Sequence, residues 1–325
     1  MTEVTMVKAL NEALRHSLAG DPRALILGED VGKLGGVFRV TDGLQDEFGT
    51  QRVFDTPLAE AAIAGVSLGL ALAGWHPVAE MQFDGFSYPA LDQIISHVAK
   101  YRFRSRGRQP APLVIRIPYA GGIGAAEHHS ESPEAYYAHT SGLKVVTPSS
   151  AIDAYDLLRA SIEDPDPVIF FEPKSRYWSK EDGELGADGS LPIGKARTVR
   201  EGTDCTIVAY GAMVARSLQV ASQAAEEGVE VEVIDLRSLV PLDLDALAGS
   251  VRKTGRAVVV HEAPMTAGFG AEVVARIVED AFDYLEAPVL RVTGYDIPYP
   301  PATIESHYLP SVARILAAVD RVVNY

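Results

Sequence analysis

From Ala61 to Trp75 the chain reads Ala-Ala-Ile-Ala-Gly-Val-Ser-Leu-Gly-Leu-Ala-Leu-Ala-Gly-Trp, with one hydroxyl and no charge. Upstream stand Asp55-Thr56-Pro57-Leu58-Ala59-Glu60. Thr56 suits an N-cap and Pro57 a first helical position, so a helix is predicted to start there with Glu60 in its opening turn. A helix apolar on every side belongs in an interior, and Ala61, Gly65, Gly69 and Ala73 let a second backbone come close. Gly74 and Pro77 end the run short of a membrane span, so it reads as a core helix. Glu60 then enters buried surroundings with no evident partner. Two readings stand side by side: a carboxylate at the positive end of the helix dipole, or a carboxyl whose pKa desolvation raises so that it can share a proton with a ligand.

A chain of 325 residues implies two domains. Its formal charge of −15 argues against nucleic acid and for a basic protein partner. The one cysteine, Cys205, excludes an internal disulfide and fits a reducing compartment, and it opens an apolar strand, as a packed core residue does. The N-terminus shows no signal-peptide pattern, so secretion is not expected and the cytoplasm is.

Residues 2–20 have helical spacing, and Ala24-Leu25-Ile26-Leu27 reads as a buried strand delivering Gly28-Glu29-Asp30 at its carboxyl end, where α/β sheets bind ligands. The glycines Gly32, Gly35 and Gly36 lack dinucleotide-fingerprint spacing. Val53–Asp55 and Val78–Phe83 are predicted strands, with Phe83, Phe86 and Tyr88 clustered after the second. Leu91–Arg104 reads as a helix whose basic tail, Lys100 to Arg108, is a solvated helix end or a contact with an acidic subunit. The Gly121–Ser130 stretch puts His128 and His129 on a glycine-rich loop after a strand. Adjacent histidines do not chelate one ion easily and no zinc spacing completes them, so acid–base work near neutral pH is the better reading. From Lys174 to Gly202 the chain turns polar, and beyond it strands and helices alternate as in a parallel sheet with helices on both faces. We therefore expect an α/β protein of two doubly wound domains, residues 1–175 and 204–325, joined by a linker over 176–203.

Gly28-Glu29-Asp30-Val31-Gly32, Gly36-Val37-Phe38, Asp55–Glu60, Gln82-Phe83, His128-His129-Ser130 and Asp296-Ile297-Pro298-Tyr299-Pro300 occur in the order of a known family. The chain resembles, over nearly its whole length, the beta subunit of the thiamine-diphosphate-dependent decarboxylase of 2-oxo acid dehydrogenase complexes, and most of all the branched-chain (2-oxoisovalerate) type. The resemblance implies a transketolase-like pyrimidine-binding domain followed by a transketolase C-terminal-like domain. It gives Glu60 a hydrogen bond to the cofactor's pyrimidine, Glu29 a place in a proton relay, and Leu58 the apolar wedge under a bent cofactor. Phe86 would stack on the aminopyrimidine, Gln82 would face the substrate, and His129 would protonate intermediates and assist acyl transfer to a lipoyl arm. A potassium site would be formed by Leu113, Ser161, Ile162, Asp164 and Asp166. The Gly-Asp-Gly opening of the diphosphate and magnesium motif is missing, so magnesium ligands are expected mainly on an alpha subunit. The expected assembly has two alpha and two beta chains serving a dihydrolipoyl acyltransferase, with no nucleic acid and no membrane. Pyruvate or acetoin dehydrogenase is the alternative activity, and a noncatalytic scaffold subunit the alternative of another class.

Overall fold

Parallel strands covered on both faces need uninterrupted apolar runs, and the computed structural model, which describes residues 2–186 and 191–325, turns those runs into two sheets. The chain divides into two compact units, Met1–Tyr119 with Tyr136–Ile193, and Ala120–Ala135 with Gly194–Tyr325.

In the first unit, β1 (Thr2–Thr5) precedes β2 (Ala24–Gly28), β3 (Val53–Asp55), β4 (His76–Glu80), β5 (Val114–Tyr119), β6 (Lys144–Val146), β7 (Val168–Pro173) and β8 (Lys180–Gly183). Strands β2 to β7 lie side by side in the order β6-β7-β5-β4-β2-β3, every neighbouring pair parallel. The order reverses at β2: β3 is laid on one side and β4 on the other. The carboxyl ends of β2 and β4 therefore form a topological switch point, where open α/β sheets bind ligands. Helices Met6–Gly20 and Ala151–Glu163 pack their apolar faces against the sheet, joining Leu10, Leu14, Leu157 and Phe170 in one buried core.

Several boundaries differ from expectation. Residues 2–5 are strand rather than helix: the β-branched Thr-Glu-Val-Thr pairs antiparallel with β8, and Thr5 caps the helix that follows by accepting from the Lys8 amide at 3.3 Å. The polar stretch 176–203 contains β8 and β9 (Arg197–Arg200), with residues 187–190 outside the described part. The run predicted as one helix from Leu91 to Arg104 is broken into Tyr88–Gln93, a π-wound turn at Ile94–Val98, and Tyr101–Arg104. The predicted strand 78–83 stops at Glu80, so Gln82 and Phe83 stand in the loop beyond it.

The central helix is the largest correction. It spans Glu60–Leu72, its N-cap is Ala59, and no side chain caps it. The Thr56 hydroxyl is buried without a hydrogen-bond partner instead. The helix is also not apolar-buried all round: Ile63, Ala64, Ser67, Leu68 and Ala71 face the core, while Ala61, Ala62, Val66 and Gly69 are exposed. Its apolar composition reported a helix of low polarity but not which sides this chain covers.

In the second unit β10 (Cys205–Ala209), β11 (Val231–Asp235), β12 (Ser238–Val240), β13 (Ala257–Pro264) and β14 (Leu290–Gly294) alternate with helices Met213–Glu226, Leu244–Thr254 and Gly270–Ala281, and Val312–Val323 closes the chain. One sheet runs β14-β13-β10-β11-β9, parallel except for β9, which meets β11 antiparallel. Cys205 lies fully buried in this core as a packed thiol. Among the described residues no helix is long and apolar enough to cross a membrane.

Candidate active site

At the switch point, β2 ends in Gly28 and hands the chain to Glu29 and Asp30. Glu29 is 3% exposed, and neither of its carboxyl oxygens has a hydrogen-bond partner. Burial, with the like charges of Glu60 and Asp30 adding to it, pushes its pKa up to about 7. A buried polar group with nothing to bond is costly, and sites of that kind concentrate where a ligand completes them. Glu29 is thus a carboxyl held high at this strand end. Glu60 sits half-buried in the first turn of its helix, close enough to Glu29 to raise its pKa by charge repulsion.

The loop around this pair is fixed by backbone bonds. The Thr56 amide donates to the Gly28 carbonyl at 2.9 Å, and the Gly32 amide to the Asp55 carboxylate at 2.6 Å. A β-carbon on Gly32 would lie 2.5 Å from the Gln45 amide nitrogen and 2.8 Å from the Asp55 carboxylate, so a larger residue would have to displace these side-chain ends. Beyond β4, Gln82 donates to Asp30 at 2.8 Å and ties the two strand ends of the switch point together. Phe86 meets Phe83 edge to face at 5.8 Å, and Phe83 meets Phe38 the same way at 5.4 Å. The Phe83 ring lies over a fully buried ion pair, Lys174 with Asp84, whose ammonium is 6.0 Å from the ring centre. Leu58 projects from the turn before the helix and is 79% exposed. Glu29, Glu60, Leu58, Gln82 and Phe86 thus all belong to the first unit and to the loops at one end of its sheet.

Beneath them is a cluster that sequence reasoning missed. Arg116 of β5 is fully buried, bonding Glu80 of β4 at 2.6 Å and Glu172 of β7 at 2.6 and 2.9 Å, and Tyr177 donates to Glu172 at 2.6 Å. Desolvation pushes the pKa of Glu80 up, and the facing guanidinium opposes it. The signal was in the sequence: Val-Ala-Glu, Val-Ile-Arg-Ile and Phe-Phe-Glu each set one ion in an apolar run.

His129 belongs to the second unit, on Ala120–Ala135. It lies in the 3-10 turn Glu127–His129, half-buried, with Nδ1 2.9 Å from the His128 carbonyl oxygen. The potassium set is arranged differently from a cage of carboxylates. Lys144 holds Asp164 at 2.6 and 2.7 Å, and Arg102 holds Asp166 at 2.7 Å. Ser161 and Ile162 stand in the last turn of Ala151–Glu163, whose carbonyls have no partner within the helix, and the Leu113 carbonyl accepts from the Val168 amide at 3.0 Å. Among the described residues no group of three or more His, Cys, Asp or Glu side chains could hold a metal ion.

Two family models account for nearly all of this chain. The transketolase pyrimidine-binding domain matches residues 2–179 and the transketolase C-terminal domain residues 194–315, which defines the class of the protein. A solved chain described as a split-gene transketolase, inactive beta4 tetramer, shares the fold, with a TM-score of 0.82 at 24% identity, covering 99% of this chain and 98% of its own. Within the class, the pyruvate dehydrogenase E1 component subunit beta of Leifsonia xyli is 57% identical, covering 98% of this chain and 95% of its own length. The 3-methyl-2-oxobutanoate dehydrogenase subunit beta of Mycobacterium tuberculosis is 55% identical, covering 99% and 92%. The chain belongs to the family of 2-oxo acid dehydrogenase beta subunits, as its motifs indicated.

Proposed function

We propose that this chain is the beta subunit of a branched-chain 2-oxo acid dehydrogenase, forming with an alpha subunit the thiamine-diphosphate site that decarboxylates the 2-oxo acid and passes the acyl group to lipoamide on a dihydrolipoyl acyltransferase. The observation that carries the reading is Glu29: a buried carboxyl with two unbonded oxygens, beside Glu60, at the switch point of the pyrimidine-binding domain. Glu60, Leu58, Gln82 and Phe86 would hold the cofactor's pyrimidine side. Residues 1–175 would form that binding domain, 176–203 the connection and 204–325 the domain on which the acyltransferase docks. The diphosphate and its magnesium would be held mainly by the alpha subunit, since the Gly-Asp-Gly opening is absent here.

When bound, thiamine diphosphate supplies the electron sink for loss of carbon dioxide. The protein's share is proton traffic and position. Glu60, at the helix start, would hydrogen-bond the pyrimidine nitrogen and hold the proton shared there. Glu29, half-protonated near neutral pH, exchanges that proton onward. Gln82, held by Asp30, presents its amide in a fixed direction. His129 would donate a proton to the reacting acyl group as it passes to the lipoyl arm. Potassium, if carried, would rest on the carbonyls of Leu113, Ser161 and Ile162, with Asp164 and Asp166 already committed to Lys144 and Arg102. The lone reduced cysteine supports a cytoplasmic setting.

Pyruvate is the second reading, favoured by the pyruvate dehydrogenase relative at 57% identity. Co-expressing the chain with an alpha partner as two alpha and two beta chains, and measuring kcat/KM for 3-methyl-2-oxobutanoate and for pyruvate, decides between them. In that complex Glu60→Gln is expected to lower kcat by about 100-fold or more. Full activity of Glu60→Gln would instead make this chain a noncatalytic scaffold.

A further inference from the structure

The loop that carries His129 is held by carboxylates from far along the chain. Within the second unit, the Gly121 amide donates to Glu262 at 3.0 Å, the Gly122 amide to Glu305 at 2.9 Å, and the Gly124 amide to both oxygens of Glu305 at 3.3 Å. Successive backbone N–H groups of this kind form a concave nest that favours an anion, and here the anion is part of the chain. Tyr299 donates to the same Glu305 oxygen at 2.7 Å, and its own ring packs on Tyr308 at 4.9 Å and 61°. The fit is close: a β-carbon on Gly121 would come within 1.7 Å of the Tyr299 hydroxyl oxygen. At its other end, the loop is closed by the Ala120 amide on the Glu131 carbonyl at 2.8 Å, and the Tyr210 hydroxyl bonds Glu134 at 2.6 Å. The proline-rich segment 296–301 thereby gains a purpose, since Pro298, Pro300 and Pro301 stiffen the chain on both sides of Tyr299.

We propose that Glu305, oriented by Tyr299, is a positioning residue for His129: its carboxylate clamps the Gly122 and Gly124 amides and so sets where the histidine stands during acyl transfer. The proposal rests on the 2-oxo acid dehydrogenase reading for the step that His129 serves. Four amide-to-carboxylate contacts on one glycine-rich loop fix its path. Misplacing a reacting group by about 1 Å costs on the order of 100-fold in rate.

The test uses the reconstituted alpha–beta complex carrying Glu305→Ala, Glu305→Gln or Tyr299→Phe. Deuterium exchange is followed in the 120–135 segment, with β10 as a folding control. Dye-coupled decarboxylation and lipoamide acylation are measured separately. In Glu305→Ala, exchange at Gly122 to Gly124 should rise about tenfold or more with β10 unchanged. The kcat for lipoamide acylation should fall about 100-fold, with KM for the 2-oxo acid within about twofold. Glu305→Gln, which keeps one acceptor oxygen, should recover most of that loss. In a His129→Ala background Glu305→Ala should cost nothing further, because coupled residues are not additive. Unchanged loop exchange, wild-type acylation despite faster exchange, or a fully additive double variant would each overturn the proposal. If Glu305→Ala also loosens β10, Tyr299→Phe, which removes one hydroxyl, decides by the same readings. A wild-type complex that decarboxylates no 2-oxo acid would refute the activity, while the exchange data alone would still decide whether Glu305 holds the loop.

Discussion

The two regions that carry the expected chemistry are built on opposite plans. The pyrimidine-side residues of the first unit grow out of strand ends: β2 delivers Glu29, β4 delivers Gln82, and the ions beneath them are paired across adjacent strands. Their positions are set by sheet register, since Gly28 lies opposite Glu80 and Glu80 opposite Arg116. The His129 loop of the second unit has glycines that are not themselves part of a strand. Its shape comes from amide donors reaching side chains that lie about 140 to 180 residues away in sequence. Sheet register gives rigidity at the cost of burying charge, whereas the loop depends for its protection on a few side-chain acceptors.

The largest effect expected from this contrast is at Arg116. Arg116→Met leaves Glu80 and Glu172 buried and uncompensated, which costs about 3–5 kcal/mol. Urea unfolding followed by far-UV circular dichroism measures it. The triple variant Glu80→Gln, Arg116→Met, Glu172→Gln, which removes the charges together, should regain much of the loss. A single-variant loss below about 1 kcal/mol would mean that water reaches the cluster and that the floor of the first region is not the rigid base described.

Glu29 sharpens the comparison through pH. Its folded-state pKa is raised to about 7 from an ordinary 4.5, so between those values the native chain binds more protons than the unfolded one. Stability then falls as pH rises through that window, and the full loss is reached above pH 7. Glu29→Gln has no such loss. It should nearly match the wild-type chain at pH 4.5 and exceed it by on the order of 3 kcal/mol at pH 8. Parallel unfolding midpoints across pH would show that Glu29 is hydrated or partnered, and the argument from its unbonded oxygens would fail.

The first region was far more legible in the sequence than the second. Glu29 at a strand end and Glu60 in the first turn of a helix follow from local patterns that a parallel sheet converts into position. Gln82 and Phe86 were singled out by the family resemblance, Gln82 inside a predicted strand that in fact stops at Glu80. What stayed hidden there was the sharing of burial: an all-apolar helix does not say which of its faces the same chain covers, and the exposed side of Glu60–Leu72 became visible only from the packing. Charged residues inside apolar strands were visible but went unread. In the second region His129 could be singled out from its glycine-rich setting, yet nothing local pairs Gly122 with Glu305 or Gly121 with Glu262. Such contacts of long sequence separation are set by tertiary packing. The same holds for β8, whose polar residues pair with β1 almost 180 positions earlier.

The smallest of these effects is at the loop's far end. Tyr210, at the end of β10, is buried and donates to Glu134 at 2.6 Å, while its ring stacks on His261 at 6.0 Å and 14°. Burial pushes the pKa of His261 down to about 4, so the stacked imidazole is neutral at working pH and adds no charge of its own to the contact. Tyr210→Phe keeps the stack and the volume but removes one hydrogen bond to a carboxylate, which is worth about 1.5–3 kcal/mol when buried. Glu134 is itself buried and keeps other interactions in the variant, so the lower figure is expected. If register alone held the second region, as it does the first, the variant would lose stability uniformly. If the loop is tied down at discrete points, as its amide contacts indicate, exchange in residues 120–135 should quicken several-fold while β10 and β13 hold their protection.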